Sequence, residues 1–540
     1  MLSNKLKFLL SSMLLFTALQ LFSKAERFRV VWQTNPSTSA VIAWDQSSGE
    51  NPTFHMDINN YGDDAESYAV KRKADHVLRA KGMNNHFVRL TGLIPNTSYY
   101  FLVVDNEGQS QQLFFTTAPN SPEERLSIIA GGDSRNYREA RQEANILVGK
   151  LRPHCVMFGG DFTAGDSDTE WVEWLDDWQL TFAKDGRVTP IIPARGNHEE
   201  SNATLTQVFD IESKNTTYAI NLGGDLLRIY TLNTMIPIRG EQQEWLERDL
   251  HRNSPVQWKI AQYHHPMRPH TQRKAEKHDQ VVFWAPLFMQ YNMSLAVECD
   301  AHVVKSTYPI RPGKGANSHE GFIRDDNEGT VYVGEGCWGA PLRKNNDDKP
   351  WTRASGSFNQ FHWIFVDEEK IEVRFVKTDG SGRVADIDPR NVFKTPIGLN
   401  IWSPPAGDVV SIKKRDGSMF GAGEEILAAR SGGGASVGRG ATLRPARPVD
   451  ETANWDKCPK VLTDPSSGDV KVKYALGIKC NVEIRLINRK LQEVSKIELT
   501  NQPSGEYLKT LRTSHLPRGN YLAIVKENGR IVKRYQVEKR

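Results

Sequence analysis

Six side chains of metal-ligating type each stand just past an apolar run in this chain. Asp133 closes Leu126–Ala130 through Gly131-Gly132, and Asp161 closes Cys155–Phe158 through Gly159-Gly160. Asn197 and His198 leave Val188–Pro193 in the turn Ala194-Arg195-Gly196-Asn197-His198-Glu199-Glu200, and His264 and His265 end Trp258–Tyr263. Asp300 and His302 follow Ser294–Glu298 in Cys299-Asp300-Ala301-His302. Carboxylates and an Asn carbonyl are hard oxygen donors and imidazole is a borderline nitrogen donor, a mixture that suits Mn, Zn or Fe. A pair of divalent ions about 3.5–4 Å apart needs a carboxylate between them, and activates water while holding a leaving oxygen. His198, beside Asn197, cannot easily reach the same ion and is left free to move protons. A lone strand-end Asp is usually a turn former or helix cap. Six such positions in this order point to a metal centre.

The elements that must position these residues alternate apolar runs with helical stretches, Glu139–Leu151, Thr169–Trp178 and Glu241–Leu250 among them. That pattern predicts an α/β layered domain over 120–400, with the clusters outside the carboxyl ends of its strands. Phe361–Val376 reads as its closing strands. Before it, 26–119 holds short strands (Arg27–Gln33, Ser39–Asp45, His86–Leu90, Ser98–Val104, Gln111–Thr116), which predicts a β-sandwich. Trp44 reads as an intersheet core residue, and Leu93-x-Pro95-x-Thr97-x-Tyr99 has the form of a tyrosine corner. After it, 401–455 reads as a flexible linker, Gly-rich then Pro-rich over Ser431–Pro448. Residues 456–540 return to alternating strands, a second small sandwich.

The 540 residues are too many for one core. A net charge of +4 is too weak to argue for nucleic acid and is compatible with anionic substrates. Residues 1–25 read as a secretory signal: Lys5 and Lys7, apolar Phe8–Phe22, then Ser23-Lys24-Ala25. No later stretch is apolar enough to span a bilayer, so an exported protein is expected, extracellular, surface-attached or periplasmic. Of five cysteines, Cys458 and Cys480 are placed to pair, while Cys155, Cys299 and Cys337 read as small buried side chains. No CxxC spacing exists for a thiolate zinc site.

Gly132-Asp133, Gly160-Asp161, Gly196-Asn197-His198-Glu199, Tyr263-His264 and Asp300-Ala301-His302 resemble the motif blocks of the calcineurin-like metallophosphoesterase superfamily. The likeness is closest to its purple acid phosphatase-like branch, whose preceding domain the fibronectin type III-like segment 26–119 resembles. The resemblance implies a layered αββα domain holding two divalent ions. Asp133 and His302 would bind the first, Asn197, His264 and Asp300 the second, and Asp161 would bridge. It implies hydrolysis of phosphate monoesters by a hydroxide between the ions, with His198 as general acid and Glu199 as its partner. Arg135 and His265 are the expected phosphate-binding groups. Arg268, His270 and His278 are further candidates, Arg268 and His278 reading better as a solvated basic loop.

Two positions depart from that pattern. Ala164 stands where the family has a Tyr ligand, so no tyrosinate colour is expected; Asp300 stands where the first His of a GHxH block would be, favouring harder ions. Leu516-Pro517-x-Gly519-x-Tyr521 and the terminal Lys539-Arg540 resemble a type IX secretion sorting domain, which implies contact with secretion machinery. Alternatives are a phosphodiesterase or nucleotidase of the same fold, or a catalytically silent surface-binding protein.

Overall fold

A computed structural model describes residues 24–415 and, toward the C-terminus, 460–463, 469–476, 480–488, 492–503, 505–527 and 530–539. Residues 1–23 of the expected signal segment and the Gly-rich part of the linker lie outside these residues, as does Cys458, on which the expected Cys458–Cys480 pairing depends; Ala25, the expected last residue of the signal, instead opens a strand, opposite Gln46.

Two mixed sheets face each other in the central domain. The first runs Val409–Lys413, Lys370–Lys377, Gln360–Val366, Leu126–Gly131, Cys155–Phe158 and Ile191–Pro193. Its middle is parallel, with Ile128 opposite Cys155 and Val156 opposite Ile191. The second runs Tyr218–Leu222, Leu227–Thr231, Trp258–Gln262, Leu295–Val297, Val331–Gly334, Val304–Thr307 and Thr352–Gly356. Side chains alternate across a strand, and the second sheet uses this fully. Leu227, Ile229, Ile260, Leu295 and Val333 enter the core between the sheets. Tyr230, Ala261, Ala296 and Tyr332 face the other way, onto Leu246 and Leu250 of helix Glu241–Arg252 and onto Trp284 and Phe288.

Helices Arg138–Leu151 and Asp168–Trp178 add Leu147, Val148, Leu151, Trp171, Trp174 and Trp178 to the same large core as the first sheet. The layers are therefore helix, sheet, sheet, helix. Asp168–Trp178 starts where it does because Ser167 accepts the Glu170 amide while the Glu170 side chain returns to the Ser167 amide. Such reciprocal capping contributes about 1 kcal/mol. Trp171, Trp174 and Trp178, three and four residues apart, then form one stripe, and each is essentially fully buried.

The N-terminal domain differs from a detached spacer. Its strand Ala25–Val31 pairs in parallel with Ile191–Pro193, Val31 opposite Ile191, so the first sheet continues through Ala40–Gln46, Met83–Leu90 and His76–Ala80 to ten strands. A second layer (Val70–Arg72, Thr53–Asp57, Ser98–Asp105, Gly108–Gln109, Leu113–Thr116) completes the sandwich. Trp44 is fully buried in it, and the Tyr99 hydroxyl accepts the Ile94 amide at 2.7 Å.

At the other edge the expected linker begins too early. Val409–Lys413 pairs with Lys370–Lys377, Val373 opposite Val410, and so belongs to the first sheet of the central domain. Two hydrophobic residues of this short strand, Val410 and Ile412, pack against the sheet's core, a signal the flanking Pro, Gly and Lys residues obscured. The C-terminal unit is two sheets, one of three strands and one of four, closed over Val470, Val472, Ile484, Leu486, Ala523 and Val525.

Candidate metal centre

Asp133, Asp161, Asp300 and His302 each lie just past a strand with positive φ (58°, 56°, 67° and 53°). L-residues with a Cβ adopt that region at a cost of roughly 1–2 kcal/mol each, and such residues gather at functional sites. Two glycines allow the loops to close on one another. A Cβ at Gly160 (φ 94°) would stand 2.3 Å from the Gly196 amide nitrogen, and one at Gly336 would fall 1.8 Å from Asp133 Oδ2.

Asp133 Oδ1 is 2.9 Å from His302 Nε2, and its Oδ2 accepts the Asp300 amide at 3.0 Å. Ligand atoms of Asp133, Asp161 and His302 all lie within 4.8 Å of one another. On the other side of Asp161, His264 Nε2 lies 3.2 Å from Asp161 Oδ1, 3.1 Å from Asn197 Oδ1 and 3.8 Å from Asp300 Oδ1. Both imidazoles are aimed by carbonyls behind them: His264 Nδ1 is 2.9 Å from Gly159 O, and His302 Nδ1 is 2.8 Å from Pro341 O. Nδ1–H donates there, which leaves Nε2 of each ring facing the carboxylates as a ligand atom.

The electrostatics ask for a cation. Burial alone would lower the pKa of His264, yet the charges of Asp161 and Asp133 hold it well above the ordinary value. Three buried carboxylates, an Asn oxygen and two oriented imidazoles fit divalent metal ions of the Mn, Zn or Fe kind. Cys299 Sγ also comes within reach of Asp133 and His264, and burial pushes its thiol up to about 12. It fills the space beside the two Gly-Gly turns, since a Cβ at Gly159 would meet its sulfur at 2.3 Å.

His198 is half-buried. Its Nδ1 lies 2.5 Å from Ala164 O, and its Nε2 faces Asp161 Oδ2 at 3.8 Å. Ala164, standing where a Tyr ligand was expected, thus serves through its backbone. Glu199, expected as the partner of His198, is placed otherwise. Its fully buried carboxylate accepts the amides of Gly196 (2.7 Å), Phe162 (2.9 Å) and Asp161 (3.1 Å), which clamps the Asp161 loop to the Asn197 turn. The sequence could not reveal this, because adjacency does not say whether the Glu199 carboxylate turns toward His198 or back onto the Gly196 amide.

Among the expected phosphate-binding groups, Arg135 sits at the mouth, Nε 3.4 Å from Asp161 Oδ2 and Nη2 3.5 Å from His302 Nε2. His265 lies against the His264 ring, centroids 5.5 Å apart, and burial followed by the His264 charge lowers its pKa to about 3. Arg268 is not solvated: it is buried, with Nε 2.9 Å from Glu276 Oε2. His270 is buried too, Nε2 2.7 Å from Thr352 Oγ1, while His278 is exposed.

Three supports had no motif to announce them. Lys274 ion-pairs with Asp300 Oδ1. Arg343 Nη1 donates to the Asp300 carbonyl at 2.5 Å. Behind the Asp300–His302 loop, fully buried Lys305 Nζ lies 2.5 Å from both Glu298 and Glu335. Only the apolar neighbours of Lys305 in Val303-Val304-Lys305 hinted that it points inward.

Comparison with known proteins matches residues 25–117 to the purple acid phosphatase N-terminal domain and residues 130–302 to the calcineurin-like phosphoesterase family. Two uncharacterized proteins of Mycobacterium tuberculosis, from strains CDC 1551 / Oshkosh and H37Rv, are each 20% identical over 355 residues. Those alignments span 55% of this chain and 66% of the relatives' length. A purple acid phosphatase from yellow lupin (Lupinus luteus) seeds, PPD1, superposes with a TM-score of 0.58 at 15% identity, over 76% of this chain and 77% of that one. PhoD superposes with a TM-score of 0.50 at 10% identity, over 73% and 93%. The fold is that of the calcineurin-like metallophosphoesterases, preceded by a β-rich domain.

Proposed function

We propose that this chain, a purple acid phosphatase-type N-terminal domain joined to a calcineurin-like phosphoesterase domain, is a metal-dependent phosphoric ester hydrolase acting on phosphate monoesters. The observation that carries the reading is the meeting of two donor sets at Asp161: Asp133 and His302 on one side, Asn197, His264 and Asp300 on the other. Divalent ions held there supply Lewis acidity toward a phosphoryl oxygen and toward water.

The chain's own groups do the rest. Arg135 at the mouth offers a guanidinium fork to the non-bridging phosphoryl oxygens. His198, with Nδ1–H fixed on the Ala164 carbonyl, directs Nε2 into the cleft and gives its proton there to the departing alkoxide. His265, uncharged, contributes hydrogen bonding rather than charge. Glu199 acts on no substrate atom; it holds the Asp161 and Asn197 loops in register.

Hydrolysis of p-nitrophenyl phosphate, abolished by EDTA and restored by Mn²⁺, Zn²⁺ or Fe²⁺, is the test. Activity on bis(p-nitrophenyl) phosphate alone would make it a diesterase. No hydrolysis of either by metal-replete protein would leave a surface-binding protein on a hydrolase fold. The proposal includes export: Met1–Ala25 has the layout of a secretory signal, and the C-terminal sandwich ends in the Leu516–Tyr521 pattern and a basic terminus. Cell fractionation with an antibody to the full chain tests that part.

A further inference from the structure

The two donor sets are not equivalent. Among the described residues, the metal-capable triads of His, Cys, Asp and Glu are Asp133–Asp161–His302 and Asp133–His264–Cys299, and Asp300 belongs to neither. Asp300 is nonetheless held firmly. Its amide donates to Asp133, its carbonyl accepts from Arg343, and its backbone sits at φ 67°. What its carboxylate meets is Lys274: the ammonium contacts Oδ1, the same oxygen that lies 3.8 Å from His264 Nε2.

Lys274 belongs to the loop between the strand Trp258–Gln262 and the helix His278–Phe283, its amide donating to Thr271 O at 3.2 Å. The neighbouring Gln272 amide donates to Asn346 Oδ1, also at 3.2 Å, so the loop is tied down on the side of Arg343. With its side chain 26% exposed, Lys274 keeps one face toward solvent and can leave Asp300 without being buried uncompensated.

We infer that Lys274 is a cation built into the second metal position, so that an ion binds there more weakly than at the first and only by displacing the ammonium from Asp300. The inference rests on the phosphoesterase reading and deepens it. A carboxylate at Asp300 brings one negative charge that an imidazole there would not, and Lys274 returns the local charge to that of a neutral ligand. A second divalent ion placed near the ammonium meets like-charge repulsion in a partly water-excluded cleft; the first position also faces a cation, Arg135, but its guanidinium stands 3.4 Å from Asp161 Oδ2 without a hydrogen bond through Nε, whereas Lys274 is in direct contact with Asp300.

Isothermal calorimetry of Mn²⁺ binding to EDTA-stripped full-length protein, with metal content measured by mass spectrometry, tests this apart from turnover. Wild type is expected to bind in two steps, the second weaker by about 100-fold. Lys274→Met should tighten the second step by about tenfold or more and leave the first within about threefold. Asp300→Asn should abolish the second step and keep the first. If Lys274→Met misfolds, the isosterically similar Lys274→Gln carries the same expectation. A second step that is unchanged or weakened in the Lys274 variants overturns the inference, as do two equal steps in wild type; with EDTA-sensitive hydrolysis intact, either result leaves the phosphoesterase reading standing. Absence of any Mn²⁺ binding overturns both.

Discussion

Replacing Asp166, which no motif marks, should unfasten the loops that carry Asp161 and Asn197. Its side chain is fully buried and accepts from Trp171 Nε1 at 2.6 Å, Thr204 Oγ1 at 2.8 Å and the Glu200 amide at 3.0 Å, while Lys81 from the N-terminal domain pairs with it at 2.8 Å. Asp166→Ala therefore leaves three donors without their acceptor and one cation without its partner. At about 1 kcal/mol for each neutral donor and a similar amount for the partly exposed Lys81, the loss is roughly 4 kcal/mol. For a unit of this size that is a fall in Tm of about 5 °C. Asp166→Asn, which keeps a carbonyl acceptor, should lose about half as much.

The pH dependence has a definite sign. Burial would raise the pKa of Asp166, but donors from Lys81, Trp171, the Glu200 amide and Thr204 outweigh it and hold the group below its ordinary value. Its stabilisation is therefore present above about pH 4 and lost as the pH falls through the depressed value. Differential scanning fluorimetry of wild type and Asp166→Ala between pH 3 and 8 should show a gap that is constant at neutral pH and closes in acid. The Lys81→Met, Asp166→Ala double-mutant cycle should return about 1 kcal/mol of coupling between the two domains. A neutral-pH Tm difference under about 1 °C would refute the reasoning.

Other perturbations address the centre directly. His198→Ala should keep its metal content and lose about 10²–10⁴ in kcat, read from p-nitrophenyl phosphate turnover beside mass-spectrometric metal analysis. Asp161→Asn, touching both donor sets, should lose metal as well as rate by the same two measurements. Gly336→Ala would press a methyl against Asp133 Oδ2, and should reduce metal content while leaving the far-UV circular dichroism spectrum intact. With Ala164 in place of a phenolate, the Fe³⁺-loaded protein should show no tyrosinate band in its visible spectrum.

The parts of the fold legible in the sequence were those written by local pattern. Apolar runs closed by Gly-Gly-Asp or Gly-Asn-His announce buried strands with exposed ends, and the structure brings the residues past those ends together. What was not legible depends on contacts between distant segments. Lys274 reaches Asp300 across 26 positions, and Lys81 reaches Asp166 across 85. The parallel pairing of Ala25–Val31 with Ile191–Pro193, which joins two domains into one sheet, leaves no local signature either. Arg268 misled because a basic residue among polar neighbours reads as solvated, whereas here Glu276 and Glu320 balance it in the interior. Glu199 misled because adjacency in the chain says nothing about where a carboxylate turns.

The central claim is that Asp133, Asp161, Asn197, His264, Asp300 and His302 together hold divalent ions. Anomalous diffraction from a Mn²⁺-loaded crystal, collected on either side of the Mn absorption edge, measures that directly. A difference peak is expected within reach of Asp133, Asp161 and His302, and a second, lower-occupancy peak between Asp161, Asn197, His264 and Asp300. A map with no peak at either place, from crystals shown to contain manganese elsewhere, would contradict that claim.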